Sequence, residues 1–364
     1  MRIALIASNQ FPIRQPFAGG LEAHVWHLAR ALVQAGHRVS LFAGPDSDPG
    51  LDCPALEVQS LGLSAAALSD SSMPSAVFMA DHHAYLTLML QLAGSAGKEF
   101  DVIHNHSLHH LPVAMAPTLS TPMLCTLHTP PTPWLESALG ATAGAGAQFA
   151  AVSAFTARSW QHLLSDIALV RNGIDCRYWP VGSGGDDLVW FGRITREKAP
   201  HLAIAAARLA RRQLILAGPI SDVDYFVHDV QPHLGGNVRY AGHLAHAELA
   251  QLVGNSAAAL VTPQWDEPYG LVVAEAMMCG TPVIAFARGG IPEIVGTQGG
   301  RLVPDGDVNG MAAAIGHALT LPRSAVHAQA ASHCSAASMV DRYLNLYRTM
   351  IENSGQVNVP AQAT

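Results

Sequence analysis

Short apolar segments alternate with helical patterns along this chain, and the alternation constrains the fold more than any other feature of the sequence. A helical pattern runs over Leu21–Ala35 and ends at Gly36. The segments that read as buried strands in the first half are Ile3–Ala7, Arg38–Ala43, Asp101–His104, Met123–Leu127 and Phe149–Val152. Such alternation predicts a parallel sheet with helices on both of its faces.

The same alternation restarts in the second half, after segments rich in Pro, Gly and Ser. Residues Asn172-Gly173 and Pro180–Gly185 have the composition of an inter-domain linker. The strand patterns that follow are Leu188–Phe191, Gln213–Ala217, Val238–Tyr240, Ala257–Thr262 and Pro282–Phe286, with a helix over His201–Arg211. A chain of 364 residues is long enough for two domains. We therefore predict an α/β protein with two Rossmann-like doubly wound parallel-sheet domains, residues 1–178 and 179–337, which face each other across a cleft.

Two further segments lie outside this pattern. Apolar residues at helical spacing between Ser338 and Glu352 predict a C-terminal helix over 338–353, and the polar end after it is expected to fray. The patch Ala141–Ala147, rich in Ala and Gly, is interpreted as a mobile loop or weak helix without chemistry.

Charge and composition exclude several classes of function. The formal net charge is −7, and the only lysines are Lys98 and Lys198, so no basic cluster for nucleic acid is present. The five cysteines form no CxxC pair, which argues against a disulfide framework or a cysteine zinc site and fits a reducing compartment. No apolar run approaches the length of a membrane span. We expect a soluble, cytoplasmic protein.

The pair Gly19-Gly20 opens the first predicted helix. Glycines at such a position let a phosphate approach backbone N–H groups at the positive end of the helix dipole, although a plain tight turn explains them equally well. A long segment separates the pair from the first strand, whereas a dinucleotide fingerprint follows its strand directly. This spacing disfavours a nicotinamide-dependent oxidoreductase.

Two charged motifs follow strands of the second domain. Arg193 and Lys198, on the loop after the first strand, can clamp a diphosphate from two sides, and a solvated charged loop is the alternative. Glu267 lies in a later loop and Glu275 inside an apolar helix. A carboxylate among apolar residues needs hydrogen-bond donors, which sugar or ribose hydroxyls supply. Carboxylates on a partly solvated edge remain the alternative.

Histidines cluster after two strands of the first domain. His104 and His106 share one side of their strand, and such a pair could ligate a metal. No Asp, Glu or Cys completes a metal site at suitable spacing, so we predict none. His128 follows a strand, with prolines behind it, and is the better candidate for a cleft residue.

Taken in order, these motifs resemble those of the retaining nucleotide-sugar glycosyltransferases of glycosyltransferase family four, which have the GT-B architecture. The resemblance extends from Met1 to about Tyr347. The matching motifs are Gly-Gly-Leu-Glu at 19–22, Asp-Val-Ile-His at 101–104, Thr-Leu-His-Thr at 126–129, Val-Ser-Ala-Phe-Thr at 152–156, Asn-Gly-Ile-Asp at 172–175, Gly-Arg…Glu-Lys at 192–198, and the glutamates at 267 and 275.

The resemblance implies a donor site in the second domain. Arg193 and Lys198 would hold the donor diphosphate, Glu275 would bind the ribose, and backbone groups near Gly242 and Leu244 would hold the base. Glu267 and the backbone of Tyr269, Gly270 and Leu271 would contact the sugar, while Gly19 and Gly20 would approach the diphosphate from the first domain. His128 would touch the transferred sugar near its anomeric carbon.

The acceptor would bind on the side of the first domain, where His104, His106 and Ser153 are the candidate residues. Since Leu61–Phe100 contains a single basic residue, Lys98, we expect a soluble small-molecule or saccharide acceptor. Peripheral membrane contact and the oligomeric state stay open.

The implied reaction is the retaining transfer of a hexosyl group from a nucleotide-diphosphate sugar, UDP-sugar being the family's commonest donor. The leaving phosphate would take the acceptor's proton, no metal or other cofactor would be required, and the linker near 180 would act as a hinge. The rival interpretations are a nucleotide-sugar epimerase or a phosphorylase of the same architecture, and a nucleotide-sugar binding protein without catalysis.

Overall fold

The computed structural model describes residues 1–72 and 74–357. Within them, two six-stranded sheets form, and every strand pair in both is parallel. The first sheet has the order β2-β1-β3-β4-β5-β6 and the second β12-β11-β10-β7-β8-β9. The strands are β1 Arg2–Ile6, β2 Arg38–Phe42, β3 Val102–Asn105, β4 Met123–Leu127, β5 Ala147–Ala151, β6 Ile167–Leu169, β7 Leu188–Phe191, β8 Leu214–Ala217, β9 Val238–Tyr240, β10 Ala258–Val261, β11 Val283–Phe286 and β12 Gly300–Val303.

Helices cover both faces of each sheet, so the predicted fold class of two Rossmann-like α/β domains is confirmed. The helices are α1 Gly20–Gln34, α2 Ala65–Leu68, α3 Ala76–Ala93, α4 His110–Met115, α5 Pro133–Thr142, α6 Ala154–Ser159, α7 Pro200–Leu209, α8 Val223–Tyr225, α9 His246–Gly254, α10 Leu271–Met278, α11 Ile291–Val295, α12 Val308–Ala318, α13 Arg323–His333 and α14 Ala336–Val357. The residue bounds that we expect for the two domains stay a prediction.

Two strands escape the sequence prediction because neither of them is a continuous buried apolar segment. β6 closes one edge of the first sheet, and its residues are all only partly buried. β12 closes one edge of the second sheet and likewise mixes buried and exposed residues. The central strands are buried on both faces and therefore read as continuous apolar segments. The patch Ala141–Ala147, expected as a mobile loop or weak helix, forms the end of α5, a turn and the start of β5.

In each sheet, the order of the strands reverses beside its first strand. β1 lies between β2 and β3, and β7 lies between β8 and β10. Ligands of doubly wound sheets bind outside the carboxyl ends of the strands at such a reversal. The segments that leave these ends are the start of α1, the loop after β3, the loop after β7 and the loop after β10.

The C-terminal helix α14 packs on the first sheet. Its apolar residues join the core formed by β1, α1 and β2, and Tyr343 and Tyr347 are completely buried. The Tyr347 hydroxyl lies 2.6 Å from Nδ1 of His104. The helix runs to Val357, beyond the predicted end, and the rest of the tail that we expect to fray lies outside the described residues.

The chain crosses between the sheets at two places, and these crossings run side by side. The Ile174 N–H donates to the Cys334 carbonyl at 2.7 Å, and the Ala336 N–H donates to the Ile174 carbonyl at 3.1 Å. The chain therefore passes between the two sheets at 172–174 and 334–336, and hydrogen bonds join these two crossings.

The segment Pro180–Gly185, which the sequence suggests as the hinge, is instead held against the second sheet. The Gly182 N–H donates to the Cys279 carbonyl, and the Gly184 N–H donates to the Gly254 carbonyl. The guanidinium of Arg323 fixes the same region, with hydrogen bonds to the carbonyls of Gly182, Gly254, Ser256 and Cys279 and to the Thr281 hydroxyl. The composition of this segment predicts turns, but it does not predict that Arg323 holds the segment in place.

Among the described residues, no helix has both the length and the apolar character needed to cross a membrane.

We expect Arg323→Ala to lower the free energy of unfolding by at least about 2 kcal/mol, because several carbonyl groups lose a charged donor. Urea denaturation followed by circular dichroism measures the change. Arg239→Ala is the matched control, since Arg239 is exposed and makes no side-chain hydrogen bond or ion pair with the described residues. Equal stability of the two variants would contradict the role assigned to Arg323.

Candidate active site

The starts of α1 and α10 meet where the two sheets face each other. α1 follows Gly19 and α10 follows Gly270, and no side chain caps either helix. A Cβ atom on Gly20 would lie 2.8 Å from Cδ1 of Leu271, so any larger residue at position 20 would require the Leu271 side chain to shift. Gly270 has φ +105°, a left-handed conformation that glycine adopts without strain. Free backbone N–H groups at two helix N-termini make this place electropositive.

The loop after β7 brings two cations to the same place. Arg193 is partly exposed, forms an ion pair with Glu197 at 3.5 Å, and acts electrostatically on Glu22 in the first turn of α1. Lys198 pairs with Glu267 and lies 4.9 Å from the centre of the Trp265 ring. The structure thus brings Arg193 close to the first domain and Lys198 close to the loop before α10.

Glu267 is held in place by several partners. Its side chain is buried and accepts hydrogen bonds from Lys198 and from Nε1 of Trp265, the latter at 3.0 Å. Its backbone carbonyl accepts the N–H of Gly290 at 2.7 Å. Tyr269, two residues on, is buried and donates its hydroxyl to the Asn172 carbonyl, so only its backbone is available to a ligand.

Unlike the Glu267 carboxylate, the Glu275 carboxyl group has no hydrogen-bond or ion-pair partner among the described residues. Glu275 lies one turn into α10 and is partly exposed. Burial in the surrounding apolar side chains raises the pKa of its carboxyl group to about 8. Gly242 and Leu244 follow β9 at the same edge of the second sheet, and the Gly242 carbonyl accepts the N–H of Gly218 at 2.9 Å.

Three predicted histidines form a connected chain in the first domain. Nε2 of His128 lies 2.9 Å from Nδ1 of His106, and Nε2 of His106 lies 3.1 Å from Nδ1 of His104. His104 reaches the Thr126 hydroxyl through Nε2 at 2.8 Å. Burial lowers the pKa of all three imidazoles, that of His128 to about 3. They are therefore neutral at physiological pH, and only His128 is open to the cleft.

The sequence interpretation missed two residues of α1 that face this site, Glu22 and His24. Both are buried. The ring of His24 lies 5.0 Å from that of His128 and 5.1 Å from that of His106. Its Nε2 atom is buried and has no hydrogen-bond partner in the part of the chain that the structure describes. The sequence pattern could have identified His24. This residue lies one turn before Leu28 on the apolar face of α1, where a polar side chain is unusual.

Ser153 does not face the cleft in this structure. It is completely buried, caps α6, and donates its hydroxyl to the Pro268 carbonyl of the second domain. Beside it, the Glu293 carboxylate accepts the N–H groups of Ala154 and Phe155 at 3.0 and 2.7 Å. This segment joins the two domains, which leaves no free hydroxyl for an acceptor.

Family models match both halves of the chain. Residues 18–178 match the model described as glycosyltransferase family 4, and residues 181–333 match that of the glycosyl transferases group 1. The chain is 30% identical to a glycogen synthase of Mycobacterium tuberculosis, over 89% of this chain and 87% of that protein. It is 35% identical to a D-inositol 3-phosphate glycosyltransferase of the same species, over 48% of this chain and 39% of the other.

Solved structures share the fold over nearly the whole chain. Sucrose-phosphate synthase from Thermosynechococcus elongatus superimposes with a TM-score of 0.77 at 22% identity, over 97% of this chain and 99% of that one. Anabaena HepE, solved in complex with UDP and glucose, gives a TM-score of 0.74 at 18% identity, over 96% and 100% of the two chains.

We expect Glu275→Gln to be more stable than the wild type above about pH 8. A carboxyl group with a folded pKa near 8 and an ordinary value of 4.5 stabilises the fold at acid pH, and that contribution is lost as the pH rises from about 4.5 to 8. Glutamine does not ionise, so the variant avoids the loss. Since Glu275 is partly exposed, the gain is about 1–3 kcal/mol at pH 8.5 and near zero at pH 5.

Urea denaturation at both pH values measures this difference. Glu57→Gln, at an exposed glutamate, is the control and should show no such dependence on pH. If Glu275→Gln and the wild type differed in free energy of unfolding by the same amount at both pH values, the carboxyl group of Glu275 would not be buried and protonated.

Proposed function

Because this chain belongs to glycosyltransferase family 4, we propose that it transfers a hexosyl group from a UDP-sugar to an acceptor hydroxyl with retention of the anomeric configuration. The observation that carries the proposal is the meeting of two uncapped helix N-termini, from α1 and α10, beside Arg193 and Lys198. Backbone N–H groups, helix dipoles and two cations at one place form a site for a diphosphate.

The free protein keeps its two cations in internal ion pairs, Arg193 with Glu197 and Lys198 with Glu267. A bound diphosphate competes for both. When Lys198 turns to the phosphate, the Glu267 carboxylate becomes free to accept hydrogen bonds from sugar hydroxyls. Donor binding therefore prepares the sugar subsite as well as the phosphate subsite.

Charge develops in the reaction in a way that suits these residues. As the bond between sugar and diphosphate breaks, negative charge grows on the leaving oxygen and positive charge on the sugar ring. Arg193, Lys198 and the N-terminus of α10 stabilise the anion. The acceptor hydroxyl attacks from the side of the leaving group, and the departing phosphate oxygen takes its proton. This scheme needs no metal ion and no other cofactor.

His128 and Glu275 have distinct parts in this proposal. His128 is neutral and open to the cleft, so it forms a hydrogen bond with the transferred sugar without adding repulsion to the developing cation. Glu275 has an unpartnered carboxyl group, which accepts hydrogen bonds from the ribose hydroxyls. The complexes that Anabaena HepE forms with UDP and with UDP-glucose support a uridine nucleotide over the alternatives.

A row of exposed aromatic rings supports a saccharide acceptor. Trp134 is 58% exposed and stacks on His110 at 4.9 Å, and Phe78 lies 6.3 Å from Trp134 and 6.1 Å from His82. His110 starts α4 and Trp134 lies in the first turn of α5, so the row follows the carboxyl ends of β3 and β4. Flat apolar rings at the mouth of a site bind the apolar faces of pyranose rings.

We expect UDP to stabilise the wild-type protein in a thermal-shift panel with GDP, TDP, ADP and NAD. A ligand at 100 times its Kd adds about 2.7 kcal/mol of stability. Glu275→Ala should lose most of this stabilisation, whereas the exposed control Glu57→Ala should keep it. Stabilisation by NAD alone, or by none of the nucleotides, would contradict the proposed donor site.

We expect Arg193→Ala and Lys198→Ala each to reduce kcat/KM for sugar transfer by about 100-fold or more, because each contact strengthens in the transition state. Release of UDP from UDP-glucose, in the presence of a mixture of saccharide acceptors, measures the rate. Lys98→Ala removes the only other lysine and is the matched control. If both variants transferred sugar at the wild-type rate, the diphosphate clamp would be wrong.

A further inference from the structure

We propose that the imidazoles of His24, His106 and His128 bind one divalent transition-metal ion of the Zn²⁺ class, and that the bound ion inhibits sugar transfer. The binding half of this inference stands on the structure alone. The inhibition half rests on the proposed function, in which His128 contacts the transferred sugar.

The geometry brings three nitrogen ligands together from three different segments. One nitrogen atom of each histidine lies within 4.8 Å of the other two. Nδ1 of His106 and Nε2 of His128 already face each other at 2.9 Å. Ligand atoms around a tetrahedral Zn²⁺, with bonds of about 2.0–2.1 Å to nitrogen, stand about 3.3 Å apart. A small movement of the His24 ring toward the other two therefore completes three corners of a tetrahedron.

His24 supplies the independent observation that points to a ligand. Its Nε2 atom is buried and has no hydrogen-bond partner among the described residues. An unsatisfied buried polar atom costs about 1–3 kcal/mol, and structures rarely keep one without a reason. A metal ion held between His24, His106 and His128 satisfies this nitrogen.

The chemistry of the donor set selects the class of ion. All three ligands are imidazoles, and no carboxylate belongs to the cluster. Mg²⁺ and Ca²⁺ require oxygen ligands, whereas imidazole suits Zn²⁺, Co²⁺, Ni²⁺ and Cu²⁺.

A second layer of hydrogen bonds orients the ligands. His106 contacts His104 through Nε2, and His104 is fixed in turn by the Thr126 and Tyr347 hydroxyls. When Nδ1 of His106 binds the metal, its Nε2–H donates to His104. The proton that lies between His106 and His128 in the metal-free protein then moves to another nitrogen of the same imidazoles and is not released. Outer partners of this kind fix the tautomer and the ring orientation of metal-binding histidines.

Three protein ligands leave the fourth position of the ion open, and His128 is the one partly exposed member of the cluster. An ion bound to His128 fixes the ring that would otherwise contact the transferred sugar and places a positive charge beside the developing cation. Inhibition should therefore be relieved by excess donor.

The first experiment titrates the metal-free protein with Co²⁺ and Zn²⁺, without nucleotide. We expect one equivalent of Co²⁺ to give the strong visible absorption of a four-coordinate site, and Zn²⁺ to displace it, while Mg²⁺ has no effect. His24→Gln should weaken Zn²⁺ binding by at least about 100-fold, since loss of an outer partner alone costs about 10–100-fold. His162→Gln, at a partly exposed histidine paired with Glu136, is the control and should bind as the wild type does.

Two outcomes would overturn the metal site: no binding of Co²⁺ or Zn²⁺ by the wild type, or equal affinities of the wild type and His24→Gln. If His24→Gln does not fold, anomalous diffraction at the zinc edge from wild-type crystals decides, and a peak away from the three histidines would refute the site. Zn²⁺ should also inhibit the wild type and not His24→Gln. Binding without inhibition would overturn the inhibitory role, and the nucleotide panel tests the donor site separately.

Discussion

Two helices begin at the cleft after glycines that supply no side-chain cap, and the arrangement of the site depends on this fact. A glycine directly precedes both α1 and α10, and the first turns of the two helices approach each other closely. Repulsion between two positive helix ends is relieved by an anion between them. The cations of the β7 loop add to the same field, and in the free protein Glu197 and Glu267 balance them.

A second contact between a helix N-terminus and a negatively charged group holds the two domains together. At the start of α6 in the first domain, the Glu293 carboxylate from the second domain accepts two backbone N–H groups. Ser153 and Thr156 add hydrogen bonds to the Pro268 carbonyl. One helix N-terminus at the interface is thus bound by a carboxylate of the protein, while the starts of α1 and α10 remain for a ligand.

Much of this arrangement could be predicted from the sequence, because buried parallel strands and the segments that follow them have clear patterns. The central strands and the loops that carry Arg193, Lys198 and Glu267 fall where the apolar segments place them. Contacts between distant segments could not be predicted. The inward position of His24 depends on which face of α1 meets β3 and β4, and Arg323 reaches the linker across more than one element. Ser153 belongs to one of the matching motifs, yet its hydroxyl donates a hydrogen bond to a carbonyl of the other domain.

The paired crossings at 172–174 and 334–336 limit how the domains can rotate. Two adjacent connections joined by hydrogen bonds restrict the relative orientation of the domains more than a single covalent connection does. The C-terminal helix packs on the first sheet while its start is tied to the first crossing. The last helix of the chain thereby helps to fix the start of α1, which lies on one sheet, against the start of α10, which lies on the other.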